Sequence, residues 1–255
     1  MTRMPADFRR LPFAHRALHD VTKGRPENSC AAVRAALDAG YGIEIDLQLS
    51  RDGRAMVFHD YDMARLTGMP GVIQQRDAVE LVGMHLIGGD EGVPTLAEVL
   101  EIVDGRVPML IELKDQHGRM GETDGRLERA VAADLAGYTG PAAVMSFNPN
   151  SVVRLAELLP DIPRGIVTEH YPDADWPLLS ADTRAHLRAI PDYDRAAASF
   201  ISHSVKNLSA PRVAELKAKG ADVYCWTVRS AEQERAAREI ADNITFEGYL
   251  ADIPS

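Results

Sequence analysis

Short apolar segments alternate with helix-like segments along almost the whole chain, and this alternation restricts the fold more than any other feature. Eight strand units can be counted from Leu11–His15 to Ile244–Ala251, and amphipathic segments separate most of them. Strands that alternate with helices predict a parallel sheet. Eight such units in 255 residues suit a TIM-type (β/α)8 barrel, which typically needs about 250 residues. We therefore predict the α/β class and this barrel.

A doubly wound open sheet is the alternative architecture. Such a sheet usually carries a glycine-rich phosphate loop after its first strand, and none follows Leu11–His15. Because no linker or low-complexity tract interrupts the pattern, we predict a single domain over residues 1–255. Arg51-Asp52-Gly53 is predicted to be a hairpin turn, and the glycine- and methionine-containing residues 60–93 are predicted to form an irregular insertion after the second strand unit.

Charge and cysteine content narrow the classes of partner and the compartment. The net charge is −10, from 28 Lys and Arg against 38 Asp and Glu, whereas duplex nucleic-acid binders usually carry a basic surplus. The sequence has no apolar run of membrane-spanning length and no signal-peptide pattern at its start. Cys30 and Cys225 are predicted to be reduced, buried thiols. We expect no nucleic-acid partner, no stable membrane insertion and a cytoplasmic location, and we predict no particular oligomeric state.

Two carboxylates lie side by side in the segment Gly42–Leu47. Side chains two residues apart on a strand point to the same face, so Glu44 and Asp46 point together. On an isolated strand this pattern would most simply be a face in water. In a parallel sheet both faces are covered, and two buried carboxylates then need a proton, a cation partner or a metal. Glu112 and Lys114 share a face in a later strand, which is compatible with a hard-cation site or with an ion pair between them.

Two histidines end predicted strands. His15 follows the strand-like residues 11–14, and His59 follows residues 55–58. Catalytic groups of a (β/α)8 barrel lie at the carboxyl ends of its strands. A single strand-end histidine is more often structural, but two of them together with three strand carboxylates predict an active site.

Ten short motifs follow one another along the chain in a recognisable order. They are His15-Arg16-Ala17, Pro26-Glu27-Asn28-Ser29, Glu44-Ile45-Asp46, Asp52-Gly53, His59-Asp60, the segment Pro94–Leu100, Glu112-Leu113-Lys114, Ser146-Phe147-Asn148, Trp226-Thr227-Val228 and Asp252-Ile253-Pro254. In this order and spacing the chain resembles the glycerophosphodiester phosphodiesterases, within the phosphatidylinositol-phospholipase-C-like phosphodiesterase superfamily. The Glu-x-Asp and His-Asp motifs are the specific part of the resemblance.

The resemblance implies metal-dependent hydrolysis of a small-molecule glycerophosphodiester to glycerol 3-phosphate and an alcohol, with a cyclic phosphate as the favoured route. It implies one divalent ion, Mg²⁺ or Ca²⁺. The residues that it assigns to the site are His15 and His59 as acid and base, Glu44, Asp46 and Glu112 as metal ligands, and Arg16, Lys114 and Trp226 as substrate contacts. From its strand pattern alone, Trp226 is equally compatible with a core aromatic.

Some positions depart from the family pattern or leave other functions open. Ala17 replaces a glycine and the loop from Arg16 to Pro26 is longer than usual, which bears on the alcohol half of the substrate. The apolar residues within 60–93 keep open a lysophospholipase-D-like or other specialised phosphodiesterase, including one for opine phosphodiesters. A catalytically inactive metal-binding barrel is a further alternative, against which the presence of both histidines argues. A purely structural module has no positive signal.

Three neighbouring assignments complete the predictions. Asn28 is predicted to cap a helix that runs to about Ala39, and Glu27 to fix the loop before it. Among the remaining histidines, His203 has the strongest claim to a role because it follows the predicted strand Ala197–Ser202.

Overall fold

The computed structural model describes residues 2–254, and its strands form a closed parallel barrel. The strands are β1 (Phe13–Ala14), β2 (Gly42–Leu49), β3 (Ala55–Val57), β4 (Met109–Leu113), β5 (Ala142–Ser146), β6 (Arg164–Thr168), β7 (Phe200–Ser204), β8 (Asp222–Val228) and β9 (Asn243–Phe246). Their order in the sheet is β1-β9-β8-β7-β6-β5-β4-β2-β3, and β1 also pairs with β2. Only β3 among them is an addition to the barrel, as the antiparallel arm of a hairpin with β2. The predicted TIM-type (β/α)8 class is confirmed.

Helices separate the strands, largely where the sequence predicts them. They are α1 (Asp7–Arg10), α2 (Cys30–Asp38), α3 (Ala64–Thr67), α4 (Ala78–Val82), α5 (Leu96–Val103), α6 (Arg126–Leu135), α7 (Pro149–Leu158), α8 (Ala181–Ala189), α9 (Pro211–Ala218) and α10 (Ala231–Arg238). Among residues 2–254, no helix combines the length and the apolar character that crossing a membrane requires. The predicted cytoplasmic location stays a prediction.

Local hydrogen bonds explain where individual helices begin. Thr95 caps α5: its hydroxyl accepts from the Glu98 amide at 3.2 Å, and the Glu98 carboxylate accepts from the Thr95 amide at 2.8 Å. The cap of α2 is Ser29, whose hydroxyl accepts from the Ala32 amide at 3.1 Å. The prediction that Asn28 caps this helix is therefore wrong by one residue, and the Asn28 side chain is used elsewhere.

The chain divides into two compact units. The N-terminal unit comprises Phe13–Lys114 and Asp124–Ala142, and the C-terminal unit comprises Met1–Pro12, Asp115–Thr123 and Ala143–Ser255. The prediction of a single domain over residues 1–255 stays a prediction.

The N-terminal unit is built on two fully buried strands. Every residue of β2 and β4 is buried, and the parallel register pairs Asp46 with Glu112. Apolar residues such as Ile45 fill one face of β2, so alternation directs Glu44 and Asp46 together to the other face. Burial of both faces, as expected for a parallel strand, is what makes these carboxylates chemically significant.

The insertion after the β2–β3 hairpin contains three short elements, α3, α4 and a 3₁₀ turn. Most of residues 60–93 lie outside these elements, as the prediction of an irregular segment expects, but the segment has a packed core. This core is a buried apolar cluster that consists of Met56, Phe58, Met63, Leu66, Ile73, Leu81, Leu86 and Val93. Six of these residues belong to the insertion itself. Five other large apolar residues of the insertion are exposed, by between 41% and 80%: Tyr61, Met69, Val79, Val82 and Ile87.

The C-terminal unit carries the run of parallel strands from β5 to β9. Asn243 of β9 fastens the N-terminal residues, since its side-chain amide donates to the carbonyls of Phe8 and Leu11 at 2.8 and 2.7 Å. Both cysteines are free thiols. Cys225 is buried as predicted, whereas Cys30 is only half-buried.

Candidate active site

Three carboxylates of the N-terminal unit form a buried cluster, which we call the acidic cluster. Glu44, Asp46 and Glu112 each offer an oxygen within 4.8 Å of the oxygens offered by the other two. Their exposed fractions are 2%, 1% and 6%. The structure thus brings together the three residues that the sequence assigns to a metal site.

A lysine lies inside this cluster. Lys114 Nζ is 2.7 Å from Asp46 Oδ1 and 2.6 Å from Glu112 Oε1. The ion pair between Glu112 and Lys114, which the sequence left open as an alternative to a metal site, is therefore present together with the carboxylate cluster. One lysine shared between two carboxylates offsets only part of the negative charge.

Burial and the neighbouring charges shift the pKa values of all three carboxyl groups. Burial raises the pKa of Glu44 well above its usual range, and the charges of Asp46 and Glu112 raise it further. Burial also opposes ionisation of Asp46, but Lys114 above all holds the pKa of that carboxyl far below its usual range. Burial raises the pKa of Glu112 despite its contact with Lys114. Ionisation of Glu44 and Glu112 is therefore disfavoured by burial and by neighbouring negative charge, and a further cation in the cluster would favour it.

The loop after β1 brings a second cation to the acidic cluster. The Arg16 amide donates to Glu44 Oε2 at 2.9 Å, and its guanidinium Nε lies 3.5 Å from Asp46 Oδ2. Arg16 Nη1 also donates to Glu27 Oε1 at 2.7 Å, in line with the predicted loop-fixing role of Glu27. Arg16 and Ala17 have φ values of 53° and 63°, so the alanine adopts the left-handed conformation that glycine would reach without strain.

Asn28, which was predicted to cap a helix, instead contacts Asp46 of the acidic cluster. Its side-chain amide donates to Asp46 Oδ2 at 2.9 Å, and its Oδ1 accepts from the Asp46 backbone amide at 3.2 Å. These two bonds fix the Asp46 carboxylate relative to its own strand. The Pro26-Glu27-Asn28-Ser29 motif could have indicated this contact. If Ser29 caps the helix, the side chain of Asn28 is available to another partner.

The two predicted acid–base residues follow β1 and β3. His59 Nδ1 lies 2.7 Å from Asp60 Oδ1, and its side chain is 31% exposed. The Gln48 side chain donates to the His59 carbonyl at 3.1 Å, which fixes the backbone there. Charges on His59 and His15 both lower the pKa of Asp46, so both rings lie within electrostatic reach of the acidic cluster.

Trp226 belongs to the C-terminal unit and packs in an aromatic cluster. Its ring lies edge-on to Phe147 with centroids 5.5 Å apart, and its Nε1 donates to the Ser202 carbonyl at 3.0 Å. The ring remains partly exposed. These contacts fit the core-aromatic interpretation, and a contact of Trp226 with substrate stays a prediction.

His203 lies within β7 rather than after it. The ring is buried, and its Nδ1 lies 2.7 Å from Thr168 Oγ1 on the neighbouring strand. Burial lowers the pKa of His203 to about 4, so the ring is neutral near pH 7. The structure therefore gives His203 a packing position inside the C-terminal unit.

The structure is a closed α/β barrel in which three strand carboxylates and a lysine lie close together. Sequence comparison identifies the family. The model of the glycerophosphoryl diester phosphodiesterase family matches residues 15–244, and the chain belongs to this family. Its enzyme class is accordingly that of the phosphoric diester hydrolases.

Individual relatives agree with this membership. A glycerophosphodiester phosphodiesterase of Bacillus altitudinis is 33% identical over 174 residues, which are 63% of this chain and 69% of the relative. One from Caldanaerobacter subterraneus subsp. tengcongensis is 26% identical over 245 residues, 92% of each chain. Among solved structures, a phosphodiesterase of Oleispira antarctica superposes with a TM-score of 0.74 at 24% identity, covering 92% of this chain and 93% of that one. This structural likeness supports the barrel fold.

Proposed function

We propose that this enzyme hydrolyses glycerophosphodiesters to glycerol 3-phosphate and an alcohol, with a divalent ion held by Glu44, Asp46 and Glu112. The acidic cluster carries the proposal. Three buried carboxylates lie within ligand distance of one another, and Lys114 offsets only part of their charge.

The donor set suits a hard cation. Carboxylate oxygens are the ligands that Mg²⁺ and Ca²⁺ prefer, and Glu44, Asp46 and Glu112 each offer one oxygen within 4.8 Å of the others. A divalent ion bound there supplies Lewis-acid activation of a phosphoryl oxygen and orients the adjacent glycerol hydroxyl. Asn28 supports such a site, because it fixes the Asp46 carboxylate from outside the cluster.

Proton transfer falls to the two histidines in this proposal. Asp60 accepts from His59 Nδ1, which leaves Nε2 to exchange a proton with the substrate. His15 is the second acid–base group, so one ring deprotonates the nucleophile and the other protonates the leaving alcohol. Each transfer is worth about 10²–10⁴ in rate. The adjacent glycerol hydroxyl is the favoured nucleophile, which gives a cyclic phosphate that water then opens.

Arg16 and Lys114 are proposed to offset the charge on the substrate phosphate. Both are already ion-paired, Arg16 with Glu27 and Lys114 with Asp46, so they are held in place before substrate arrives. Cations that are fixed in advance stabilise a developing charge without the cost of reorienting. This matters in a chain with a net charge of −10, whose overall field repels an anionic substrate.

The proposed product has support from the structural comparison. The Oleispira antarctica phosphodiesterase structure is a complex with the product sn-glycerol-3-phosphate. A lysophospholipid substrate is the competing proposal, and the half-exposed Met69 and Ile87 of the insertion are the observation in its favour. Tyr61, Val79 and Val82 of the insertion are exposed as well, whereas six of its apolar residues are buried in a cluster and are not available to a lipid chain.

The test is release of the alcohol, choline or ethanolamine, from glycerophosphocholine, glycerophosphoethanolamine and lysophosphatidylcholine, with the second product identified as glycerol 3-phosphate from the first two and as lysophosphatidate from the third. Each assay is run in EDTA and then with Mg²⁺, Ca²⁺ or Mn²⁺, beside His15→Ala. We expect metal-dependent release from the water-soluble diesters and none from the variant. Release of the alcohol from the lysophospholipid alone would favour the competing substrate. Release in EDTA would contradict the proposed metal dependence.

A further inference from the structure

The guanidinium of Arg65, in the short helix α3 of the insertion, lies between two carboxylates. Its Nε and Nη2 atoms donate to Oδ2 and Oδ1 of Asp60 at 2.6 and 2.9 Å. Its Nη1 and Nη2 atoms donate to Oε2 and Oε1 of Glu27, both at 2.8 Å. Two-point contact on each side fixes the plane of a carboxylate as well as its position.

Both carboxylates also contact groups of the candidate active site. Asp60 Oδ1 lies 2.7 Å from His59 Nδ1, and Glu27 Oε1 accepts from Arg16 Nη1 at 2.7 Å. A continuous set of charged contacts therefore runs from His59 through Asp60, Arg65 and Glu27 to Arg16. We call this set the charged chain. All of it lies in the N-terminal unit, and Arg65 is its central member.

We propose that Arg65 is a positioning residue for catalysis: by holding Asp60 in a fixed orientation, it fixes the ring of His59 in the tautomer that leaves Nε2 free. The inference rests on the proposed acid–base role of His59. It assigns to the insertion a positioning task, which the apolar and glycine residues of segment 60–93 do not predict.

Arg65 is needed because the Asp60 carboxylate must meet two requirements at once. It must accept from His59 Nδ1, and it must resist turning toward solvent, to which it is partly open. Arg65 occupies both of its oxygens and prevents that rotation. Although burial favours the protonated form, the bonds from His59 and Arg65 hold the pKa of Asp60 well below its usual range. Asp60 therefore remains an acceptor for the ring at every working pH.

Positioning matters more here than stability. Arg65 is 49% exposed, and an ion pair of that exposure adds little to the free energy of unfolding. A misplacement of about 1 Å in an acid–base group can nevertheless cost about 10²-fold in rate. The expected effect of losing Arg65 is therefore on kcat, with little change in melting temperature.

Arginine has a property here that lysine lacks. The planar guanidinium fork contacts both oxygens of Asp60 and both oxygens of Glu27, whereas an ammonium is a point charge. Arg65→Lys should keep the charge but lose the two-sided geometry. A graded series is therefore expected, with the lysine variant between the wild type and Arg65→Ala.

The first test is steady-state kinetics on glycerophosphocholine with a matched control. Arg65→Ala should lower kcat by about 10²-fold and change KM by less than about 3-fold, and Arg65→Lys should lower kcat by about 10-fold. The control is Arg76→Ala, because Arg76 lies in the same insertion and pairs with Glu80 outside the charged chain. Its kcat should stay within about 2-fold of wild type. Added guanidinium ion should partly restore Arg65→Ala and leave His59→Ala unchanged.

The second test reads the ring directly and does not need turnover. The ¹⁵N chemical shifts of the His59 imidazole, in the metal-free protein, should show the Nδ1–H tautomer in the wild type and in Arg76→Ala. In Arg65→Ala they should show exchange between tautomers. A wild-type tautomer together with wild-type kcat in Arg65→Ala would overturn the inference, as would equal losses of kcat in Arg65→Ala and Arg76→Ala.

The two proposals can fail separately. If His59→Ala keeps wild-type turnover, the acid–base role of His59 fails, and the ¹⁵N shifts then decide alone whether Arg65 holds the ring. If His59→Ala is inactive while Arg65→Ala behaves like the wild type in both tests, the proposed function stands and the role of Arg65 is refuted.

Discussion

Lys114 Nζ lies 2.7 Å from Oδ1 of Asp46, in the middle of the acidic cluster. The same nitrogen is 2.6 Å from Glu112 Oε1. The lysine favours the ionised form of both carboxylates, while burial above all, and then the charges of Asp46 and Glu112, raise the pKa of the third carboxyl, Glu44. We therefore expect Lys114 to stabilise the metal-free protein, and the proposed divalent ion to neutralise the remaining negative charge of the acidic cluster.

Removal of Lys114 should destabilise the protein in a metal-dependent way. Lys114→Met leaves Asp46 and Glu112 buried without their shared cation, which should cost about 3–5 kcal/mol of unfolding free energy in EDTA. Saturating Mg²⁺ or Ca²⁺ should recover part of that loss, because a ligand of the folded state adds stability. The measurement is urea unfolding with and without metal.

Lys23→Met is the matched control for this experiment. Lys23 is mostly exposed and pairs with Asp20 on the surface, so its loss should change stability by less than about 0.5 kcal/mol. A Lys114→Met protein as stable as this control in EDTA would show that the lysine does not offset the charge of the cluster.

Loss of either proposed acid–base residue should separate catalysis from metal binding. His15→Ala and His59→Ala should each lower kcat by about 10²–10⁴-fold. Metal affinity should stay close to wild type, since neither ring belongs to the acidic cluster. Kinetics and calorimetric metal titration on the same preparations make the comparison, with the exposed His85→Ala as control. Wild-type kcat in either variant would remove that histidine from the mechanism.

His203 should make the protein less stable in acid. Burial lowers its pKa in the folded state to about 4 from an ordinary value of 6.5, so the unfolded chain takes up the proton first. The contribution is therefore fully present above pH 6.5 and is lost as the pH falls toward 4, by roughly 3 kcal/mol in total. His203→Asn should reduce the pH dependence of the urea midpoint in this range. An identical pH dependence in both proteins would contradict the assignment.

Periodicity predicted the barrel because most barrel strands are buried on both faces and leave a local apolar signal. The predicted strands Leu11–His15 and Ala197–Ser202 overlap β1 at Phe13–Ala14 and β7 at Phe200–Ser204, with errors of a few residues at their ends. The insertion is mostly irregular as predicted, and the sequence pattern did not predict its short helices or the apolar cluster that packs them. One local signal for helix α4 was available, because Asp77 lies three residues before Glu80. This spacing is typical of a capping box, and the Glu80 carboxylate accepts from the Asp77 amide at 2.9 Å.

The site could be predicted only where its residues follow strand alternation. Glu44, Asp46 and Glu112 do so, and the register of β2 and β4 then brings them together. Asn28 lies in the loop before α2 and Arg65 in the short helix α3, and Arg65 contacts Glu27 across 38 residues of sequence. Contacts of this kind depend on tertiary packing and leave no periodic pattern in the chain.

The most direct measurement is a calorimetric titration of Mg²⁺ and Ca²⁺ into the metal-free wild type and into Glu44→Gln, with turnover of glycerophosphocholine measured on the same samples. Glu44→Gln keeps the shape of the side chain and removes one ligand charge. We predict one ion bound per wild-type chain, weaker binding by at least about 10-fold in the variant, and a parallel loss of turnover at limiting metal. Full turnover of the metal-free wild type, with no ion bound, would contradict the account.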